Sequence, residues 1–565
     1  MKKYLLSILF AMFGIITYAQ NEPAITLTAK VEGKPLTLNF AVSEAGHKFK
    51  VDWGDGNLVE TEEIAVDDGW TTTTVTGIPL GEGKISVYGE KLVVLDCSYA
   101  ANDGTKLTAL DVTKATDLTK LTCNTHEITT LDVSKNVNLT ELVCSNNPIT
   151  SLDLSANTQL TSLDGTNMSL TEIDVTKNTA LKKLMLNDNQ IESIDLSANP
   201  ELNTLNINNN LLSEIDLSQN TALATVNIQS NKLSTLDLSM CDKLSVVFCN
   251  GNEITSLKVG SVKTRLNCSD NRLSLANLPL PGSKYFIYAP QKGMPVAQRI
   301  WPGETIDLSA QDNLTGLAAE AQKTTFVWKT GDTELQEGTG YTVENNVFTF
   351  LKAFDEPVYC EMATAAFPDF ADANIFKTEN VTVETEPELY LTLTTQVDGN
   401  ERNLTFASTT EANRIIVDWG DGKRVASEVI AMADEYGTTT TVTGTPAGEG
   451  HIKIYAREIS VFGCDSRVDG AQVTAINTSA ATDLRELNVY TNALKTLDLS
   501  QNANLEKLNC YNNSLEELDL TGNKKLTRLD AKDTPLAKID LSQNTELDYL
   551  SLNNCPIEAL SLIHI

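Results

Sequence analysis

Ten aspartates hold one position of a regular repeat, and their carboxylates are the first groups here that could do chemistry. Within each of two blocks they recur at intervals of 21 residues, always after Leu or Ile. Ca²⁺ prefers carboxylate oxygens, so such a row is compatible with a calcium ladder. We favour a row of solvated side chains, because charges about 5 Å apart repel by only about 1 kcal/mol in water. Solvent, nearby lysines and hydrogen bonds from Ser, Thr or backbone groups suffice for them. The ten are Asp111, Asp132, Asp153, Asp174, Asp195, Asp216, Asp237, Asp498, Asp519 and Asp540.

Few other residues of the chain are candidates for acid–base catalysis or metal binding. The chain contains 4 histidines, and we interpret His126 as a substituted repeat residue rather than a metal ligand. Asp52 and Asp55 stand in Val-Asp-Trp-Gly-Asp-Gly, where Gly-Asp-Gly after a strand is ordinary turn chemistry. No nucleophile, acid–base pair or metal cluster appears in local motif form, although distant residues can converge in space. We predict no enzymatic activity, no metal and no cofactor.

The 10 cysteines are candidates for disulfides or for buried thiols. Seven of them end the phrase Leu-x-x-Leu-x-Cys, at a position that also accepts Leu186, Ile207, Ile228 and Val489. A position that accepts these residues is an apolar core position, where free Cys behaves as a small hydrophobe. We therefore predict buried thiols rather than disulfides. The seven are Cys97, Cys123, Cys144, Cys249, Cys268, Cys464 and Cys510.

The spacing of these residues requires a stacked fold. Each 21-residue unit holds two extended phrases, exemplified by Leu-x-x-Leu-x-Cys-x-x-Asn-x-Ile at 139–149 and Leu-Asp-Leu-Ser-x-Asn at 152–157. Alternation within each phrase has the period of a strand, and no helix of useful length fits in the remaining residues. A fixed period of this size predicts a solenoid whose coils each carry one short parallel strand or two.

The first phrase resembles the leucine-rich-repeat consensus, in the 21-residue bacterial subclass LxxLxLxxNxLxxLDLxxNxx, where Cys often replaces the sixth residue. The resemblance covers about 91–277 and 458–559 and implies a curved solenoid whose function is usually binding. The Asn after each strand is expected to be buried, with its amide satisfying backbone groups of its own and the neighbouring coil. His126, Met168, Thr534 and Cys555 replace it in four units. The asparagines are Asn147, Asn189, Asn210, Asn231, Asn252, Asn271, Asn492 and Asn513.

Two other kinds of segment flank the repeats. The segments 51–56 and 71–77 reappear unchanged as 417–422 and 438–444. Alternating runs at 48–53 and 84–88, bounded by Gly and Asp, predict short antiparallel strands. The Trp-Gly-Asp-Gly turn resembles polycystic-kidney-disease-type (PKD-like) β-sandwiches. After the boundary marked by Pro279, Pro281 and Gly282, three runs at 325–328, 347–350 and 358–362 predict strands. A strand that contains Trp328, followed by one that contains Tyr359-Cys360, resembles an immunoglobulin-like (Ig-like) sandwich without its disulfide. We expect that segment to act as spacer and end cap.

The predicted fold is mainly β, with two leucine-rich-repeat solenoids of short parallel strands and little helix, alternating with PKD-like and Ig-like β-sandwiches. The last residues, 560–565, are encoded by one reading frame of a transposon end used in sequencing libraries, so we expect the true sequence to end near Ala559. The predicted order is a signal peptide (1–19), a PKD-like unit (20–90), a solenoid (91–277), an Ig-like unit (278–386), a second PKD-like unit (387–457) and a second, truncated solenoid (458–565).

The N-terminus predicts export. Lys2 and Lys3 precede an apolar run at 4–16 and small residues at 17–19, which is too short and wrongly flanked for a membrane anchor. No other run is long enough to cross a bilayer. The net charge of -32 argues against nucleic acid or anionic membrane as a partner. The family resemblance adds the expected location, the extracellular space or outer-membrane surface of a Gram-negative bacterium.

Residues between the apolar positions of the first phrase should point outward on the sheet, and Tyr490 and Tyr511 should stack there. Exposed apolar and aromatic side chains beside amides suit protein or glycan ligands on host or neighbouring cells, but also plain solvent exposure. We predict a surface binding protein with a role in adhesion. The alternatives are a targeting or spacer region of a larger secreted hydrolase, or a purely structural envelope protein. Candidate ligand-binding residues are Val143, Met185, Asn206, Asn227, Phe248, Asn488, Tyr490, Asn509, Tyr511 and Tyr549.

Overall fold

The computed structural model describes residues 22–69, 71–99, 104–280, 282–428, 430–434, 437–464 and 472–561. The predicted signal peptide at 1–19 lies outside these residues. The described residues are strands and turns without an α-helix, and their short 3-10 helices span Leu275–Asn277, Ser309–Gln311 and Asp372–Asn374. The prediction of a mainly β chain with little helix is confirmed.

The chain divides into two compact units that interleave in sequence. Unit 1 comprises Met1–Pro295, Ala310–Val327 and Cys360–Glu379. Unit 2 comprises Val296–Ser309, Trp328–Tyr359 and Asn380–Ile565. Each unit contains one antiparallel module followed by one solenoid.

The antiparallel module of unit 1 consists of eight strands in two sheets. The first sheet has the strand order β4-β3-β6-β1-β8, and β5-β2-β7 begin a second, longer sheet. The predicted runs at 48–53 and 84–88 correspond to β3 and β6. The strands are β1 (Ile25–Ala29), β2 (Leu36–Val42), β3 (Lys48–Asp52), β4 (Leu58–Glu63), β5 (Thr73–Gly77), β6 (Lys84–Tyr88), β7 (Leu92–Asp96) and β8 (Leu107–Asp111).

The solenoid of unit 1 continues that second sheet with nine parallel strands of three residues, in the order β7-β9-β10-β11-β12-β13-β14-β16-β18-β19. Each three-residue strand between β9 and β18 buries its central residue and leaves its neighbours partly or fully exposed, as Leu142 lies between Glu141 and Val143. Among these coils the second phrase pairs as strands only in β15 and β17. The strands are β9 (Lys120–Thr122), β10 (Glu141–Val143), β11 (Ser162–Asp164), β12 (Lys183–Met185), β13 (Thr204–Asn206), β14 (Thr225–Asn227), β15 (Thr235–Leu238), β16 (Val246–Phe248), β17 (Ser256–Val259), β18 (Arg265–Asn267) and β19 (Tyr285–Ile287).

The antiparallel module covers the first coil of the solenoid by sheet continuation. Strand β7 pairs with β2 on one side and in parallel with β9 on the other. Strand β8, the second phrase of the same coil, pairs with β1 of the other sheet. Both sheets of the module therefore run into the first coil, which satisfies backbone groups that an uncovered coil would leave exposed.

Between the two solenoids the chain forms short strands. The runs predicted at 325–328, 347–350 and 358–362 all lie in strands, and Trp328 is fully buried against the rings of Phe348 and Phe350. The strands are β20 (Arg299–Ile300), β21 (Thr305–Asp307), β22 (Thr324–Thr330), β23 (Thr333–Glu334), β24 (Tyr341–Glu344), β25 (Val347–Phe350), β26 (Val358–Thr364), β27 (Phe376–Lys377) and β28 (Thr382–Val383).

Unit 2 repeats the pattern of unit 1. A sheet of order β32-β31-β34-β29-β36 lies beside one of order β33-β30-β35-β37-β38-β39-β41, and β40 pairs with β42. The strands are β29 (Leu389–Thr395), β30 (Arg402–Ser408), β31 (Ile416–Asp418), β32 (Val425–Ala426), β33 (Thr440–Gly444), β34 (His451–Tyr455), β35 (Ile459–Gly463), β36 (Val473–Asn477), β37 (Glu486–Asn488), β38 (Lys507–Asn509), β39 (Arg528–Asp530), β40 (Lys538–Asp540), β41 (Tyr549–Ser551) and β42 (Ala559–Ser561).

The two sequence motifs shared by the modules meet in space. An ideal Cβ on Gly77 would lie 2.1 Å from the Trp53 ring, and one on Gly444 would lie 2.1 Å from the Trp419 ring. The indole of the Trp-Gly-Asp-Gly turn thus lies directly on the glycine that ends the Thr-rich strand. This packing explains why both motifs occur together in each copy.

Candidate binding faces of the two solenoids

Strand register decides which side chains share a surface. The three-residue strands pair without offset, so the third residue of each strand lies beside the third residue of the next. We call this line of outward side chains the third-position row, and the equivalent line of first residues the first-position row. The residue two positions after the strand forms a post-strand row.

In unit 1 the structure brings all five candidate residues into one row. The third-position row crosses β10 to β16, and Asp164, which the sequence did not single out, completes it. Every residue in the row is partly exposed. The side-chain amides of Asn206 and Asn227 donate at 3.1 Å to Asn187 and Asn208 of the post-strand row. The row therefore has an amide centre and apolar ends, in the order Val143, Asp164, Met185, Asn206, Asn227 and Phe248.

In unit 2 the predicted tyrosine stack is confirmed. The rings of Tyr490 and Tyr511 are 4.6 Å apart between centroids and 5° from parallel. Lys532, which holds the next place in the same post-strand row, lies 4.5 Å from the centroid of the Tyr511 ring. Tyr490 and Lys532 thus both lie against the Tyr511 ring, and the Tyr511 side chain is partly exposed.

The amides and charges of unit 2 surround this stack. Asn509 donates to the side-chain oxygen of Asn488 at 2.5 Å, and Asn488 donates to Glu486 at 2.9 Å. Lys507 pairs with Glu486 at 3.3 Å. The four candidates Asn488, Asn509, Tyr490 and Tyr511 therefore form one cluster on β37 and β38.

Tyr549 belongs to a different row from that cluster. It lies in the first-position row of β41, opposite Arg528 of β39, whose guanidinium carbon is 3.7 Å from the centroid of the tyrosine ring. Sequence reasoning noted the tyrosine but not its cationic partner. The pair is visible only once the register of β39 and β41 is known.

At the end of the unit 1 solenoid the structure adds residues that sequence reasoning missed. Strand β19 extends the sheet past residue 277, and it places Tyr285 beside Arg265 and Ile287 beside Asn267. Its phrase Tyr-Phe-Ile lacks the Leu of the repeat. Alternation of large apolar residues within that phrase was the only available signal.

The aspartate ladder is a row of local turns. Every one of the ten carboxylates accepts a hydrogen bond of 2.8–3.0 Å from the backbone N–H two residues later. For Asp174 and Asp519 the Thr hydroxyl at that position also donates, at 2.7 Å. These bonds hold the pKa of both carboxyl groups below its usual value. The favoured explanation, hydrogen bonding to Ser, Thr and backbone groups, is confirmed.

The predicted asparagine ladder is confirmed as well. The side-chain N–H groups donate to a carbonyl of the preceding coil at 2.7–3.1 Å, and all eight side-chain oxygens accept a backbone N–H at 2.9–3.2 Å. His126 makes equivalent contacts, accepting from the Leu107 N–H at 3.1 Å and lying 2.5 Å from the carbonyl of Cys97. It is therefore a substituted ladder residue. Burial lowers its pKa.

A second asparagine ladder was not predicted. It occupies the last position of the second phrase, and each amide donates to two carbonyls of the preceding coil. In unit 2 the Thr478 hydroxyl donates to the side-chain oxygen of Asn502 at 2.8 Å. The equivalent oxygen has no protein hydrogen-bond partner in Asn136, Asn157, Asn178, Asn199, Asn220, Asn523 and Asn544. Recurrence of Asn at this position was the sequence signal.

The cysteines are free thiols, as predicted. All seven in the Leu-x-x-Leu-x-Cys phrase are buried, and so are Cys241 and Cys360. Burial raises the pKa of the thiol to about 12 in Cys249 and Cys360. Cys555, the partly exposed exception, takes a place in the asparagine ladder and lies 3.2 Å from the carbonyl of Ala531.

The aspartates of the Trp-Gly-Asp-Gly turns hold the turn together. Asp52 accepts the backbone N–H groups of Gly54 and Gly56 at 2.9 and 3.0 Å, and Asp418 does the same at Gly420 and Gly422. Within the described residues, no group of three or more His, Cys, Asp or Glu side chains is placed to hold a metal ion. A search of those residues also finds no helix that could span a membrane.

Comparison with known proteins gives structural likeness only. No family model and no curated protein matches the chain. Similar solved structures include the functional domain of InlJ from Listeria monocytogenes, which includes a cysteine ladder. It has 19% identity and a TM-score of 0.30, and the match covers 82% of this chain and 69% of that one. An internalin (inlF) from Listeria monocytogenes str. 4b F2365 has 13% identity and a TM-score of 0.26, with coverage of 81% and 91%.

YopM from Yersinia enterocolitica WA-314 has 15% identity and a TM-score of 0.23, with coverage of 79% and 81%. These neighbours are bacterial leucine-rich-repeat proteins. The chain is a β-solenoid protein. Its own strand pairing carries that statement, because nine short strands follow one another in parallel in unit 1 and four do so in unit 2.

Proposed function

We propose that this chain is an exported, non-enzymatic surface protein that binds a protein ligand through its two solenoid faces, in adhesion to host or neighbouring cells. The observation that carries the proposal is the tyrosine stack that follows β37 and β38, beside the Asn488–Asn509 amide pair. Trp, Tyr and Arg are enriched among the residues that dominate the binding energy of protein interfaces, and rigid tyrosine side chains lose little entropy when they bind.

Ring orientation favours a protein over a glycan. A sugar commonly binds an aromatic side chain by lying on its face, but Tyr490 and Lys532 both lie against the Tyr511 ring. The ring edge, the hydroxyl and the neighbouring amides remain for hydrogen bonds and edge contacts, which side chains and backbone of a protein ligand can use. Binding to a glycan array would be the contrary result.

The segments outside the solenoids have structural roles in this proposal. We assign the two antiparallel modules as PKD-like β-sandwiches and the segment 278–386 as an Ig-like β-sandwich, with the domain limits stated above. The most distinctive residues of the two antiparallel modules have structural roles. Asp52 and Asp418 hold their turns together, and Trp53 and Trp419 pack on Gly77 and Gly444. Export by a signal peptide and a Gram-negative location belong to the same proposal.

The test is binding to a panel of purified extracellular host proteins, with the Tyr490→Ala plus Tyr511→Ala variant for unit 2 and Phe248→Ala for unit 1. We expect affinity for a protein ligand to fall at least tenfold in the variant of the unit that binds it. Tyr455→Ala is the matched control, because Tyr455 also stacks with an arginine, at 3.9 Å, but lies on β34 away from the solenoid face.

Unchanged affinity in both face variants would refute the proposal. Turnover in a panel of glycosidase and protease substrates would contradict the non-enzymatic assignment. In that case the Tyr490→Ala plus Tyr511→Ala variant should keep its activity, because neither tyrosine is placed to act as an acid, base or nucleophile.

A further inference from the structure

The same pair of residues occurs on both solenoid faces, at a position that the repeat does not specify. In unit 1, Arg265 of β18 lies opposite Tyr285 of β19, with the guanidinium carbon 5.4 Å from the ring centroid. In unit 2, Arg528 of β39 lies opposite Tyr549 of β41 at 3.7 Å. Both pairs occupy the first-position row, with arginine in one strand and tyrosine in the next.

Both arginines lack an acidic partner. Neither guanidinium forms an ion pair or a side-chain hydrogen bond with any residue that the structure describes, and both lie against aromatic rings. Arg272, near Arg265 in sequence, is by contrast paired with Glu253 and Glu379. In a chain with a net charge of -32, with 75 acidic and 43 basic residues, a cation left without a counter-charge on both faces is unusual.

The contact with the aromatic ring favours binding of an anion by the guanidinium. A ring beneath the planar group fixes its orientation, so that its N–H groups remain available at the edge, where a carboxylate can accept two of them in parallel. In unit 1 Lys284 lies 5.2 Å from the same Tyr285 ring and adds a second cation, and Phe248 lies 5.9 Å from Arg265. The unit 1 site thus presents two cations beside one exposed aromatic ring.

Apolar surface lies beside the charge. Tyr285 is 46% exposed and Ile287, on the same strand, is 39% exposed. Tyr549 is 38% exposed. A ligand that satisfies both features carries a carboxylate next to an apolar side chain.

We propose that Arg265–Tyr285 and Arg528–Tyr549 are two equivalent recognition sites for carboxylates of an acidic peptide segment that also presents apolar side chains. This inference rests on the proposed function, since it names the chemistry of the protein ligand that the solenoid faces bind. Each site takes one Glu or Asp side chain on the guanidinium edge and an adjacent apolar side chain on the exposed strand residues. An acidic polysaccharide is the less suitable occupant, because the guanidinium already lies on the tyrosine ring that a sugar would stack on.

The experiment uses the whole chain and two fluorescein-labelled, end-blocked octapeptides, one alternating Glu with Phe and the other alternating Gln with Phe. We expect saturable fluorescence anisotropy for the Glu peptide and at least tenfold weaker binding of the Gln peptide. Raising NaCl from 0.05 to 0.5 M should weaken binding of the Glu peptide, because salt screens exposed charges. Arg265→Gln plus Arg528→Gln should lower the affinity at least tenfold, and either single change should halve the number of sites in calorimetry.

Arg424→Gln is the matched control and should leave binding unchanged, because Arg424 also stacks on a ring but is paired with Glu386 at 2.7 Å and lies off the solenoid face. Equal binding of the two peptides, unchanged affinity in the double variant, or no saturable binding of the Glu peptide would each overturn the inference. Arg-dependent binding of polygalacturonate without binding of the peptide would assign the sites to glycan instead. A protein ligand that requires Tyr490 and Tyr511 but neither arginine would leave the proposed function standing and remove only this inference.

Discussion

The rings of Tyr490 and Tyr511 lie parallel on adjacent coils of unit 2, 4.6 Å apart between centroids. The strand spacing of the solenoid sets this separation, since the two residues hold the same place relative to β37 and β38, which pair without offset. The stack is therefore a direct product of the repeat, and it gives the first of four predictions.

Replacing either tyrosine should cost about 1 kcal/mol of unfolding free energy through the lost ring contact. In a double-mutant cycle, Tyr490→Ala and Tyr511→Ala should be less than additive, with a coupling of about 0.5–1.5 kcal/mol. Urea unfolding followed by far-UV circular dichroism measures it. Additive changes would show that the rings contribute independently, which would contradict the stack as a stabilising contact.

His126 should make the stability of unit 1 depend on pH. The pKa of its imidazole is about 6.5 in the unfolded chain. Burial lowers that pKa in the folded chain. The unfolded state therefore binds more protons, so this contribution to stability is complete above about pH 6.5 and is lost as pH falls below it. His126→Asn, which restores the ladder residue, should abolish that part of the slope between pH 8 and 5.

The measurement is the urea midpoint of the wild-type chain and the variant across that pH range. At pH 8 the two should differ by less than about 1 kcal/mol, because the amide can make the same two hydrogen bonds. His451→Asn is the control, since the His451 side chain is largely exposed. If His126→Asn keeps the full acid slope of the wild type, the buried imidazole is not its source.

Gly77→Ala should destabilise the first antiparallel module. The new Cβ would lie 2.1 Å from the Trp53 ring, so the indole or the strand must move, at a cost of about 1–3 kcal/mol or more. Gly444→Ala should have the same effect through Trp419 in unit 2. Differential scanning calorimetry of both variants checks this. Gly260→Ala is the matched control, because a Cβ there meets no atom within 4 Å; equal melting temperatures for all three would refute the close contact.

Only one cysteine should react readily with a thiol reagent in the folded chain. The thiolate is the reactive form. Burial raises the pKa of thiols such as those of Cys249 and Cys360, and it blocks access to all nine buried cysteines. Titration with 5,5′-dithiobis(2-nitrobenzoate) should show one fast equivalent in buffer and ten in denaturant. Cys555→Ser should remove the fast equivalent, and fast reaction of two or more cysteines in that variant would contradict the buried ladder.

Repetition made much of the fold predictable. A period of 21 residues determined which residues are buried, because a Leu or Cys that recurs at one position must meet its equivalents in the coils before and after it. The roles of Asn147 and Asp174 followed from the same logic, since each has one possible environment in a stacked coil. For these residues the local sequence and the fixed spacing contain the necessary information.

Contacts between different motifs were decided only by the tertiary structure. Nothing in the repeat shows that β8 pairs with β1, that Gly77 lies beneath Trp53, or that a strand without leucine adds Tyr285 to the sheet. The charged partners of the aromatic residues depend on the register of two strands about 20 residues apart, as Arg265–Tyr285 and Arg528–Tyr549 do. The sequence by itself determined which residues face inward, because burial follows the period; which outward residues meet is a property of register and sheet continuation, and the period does not encode either.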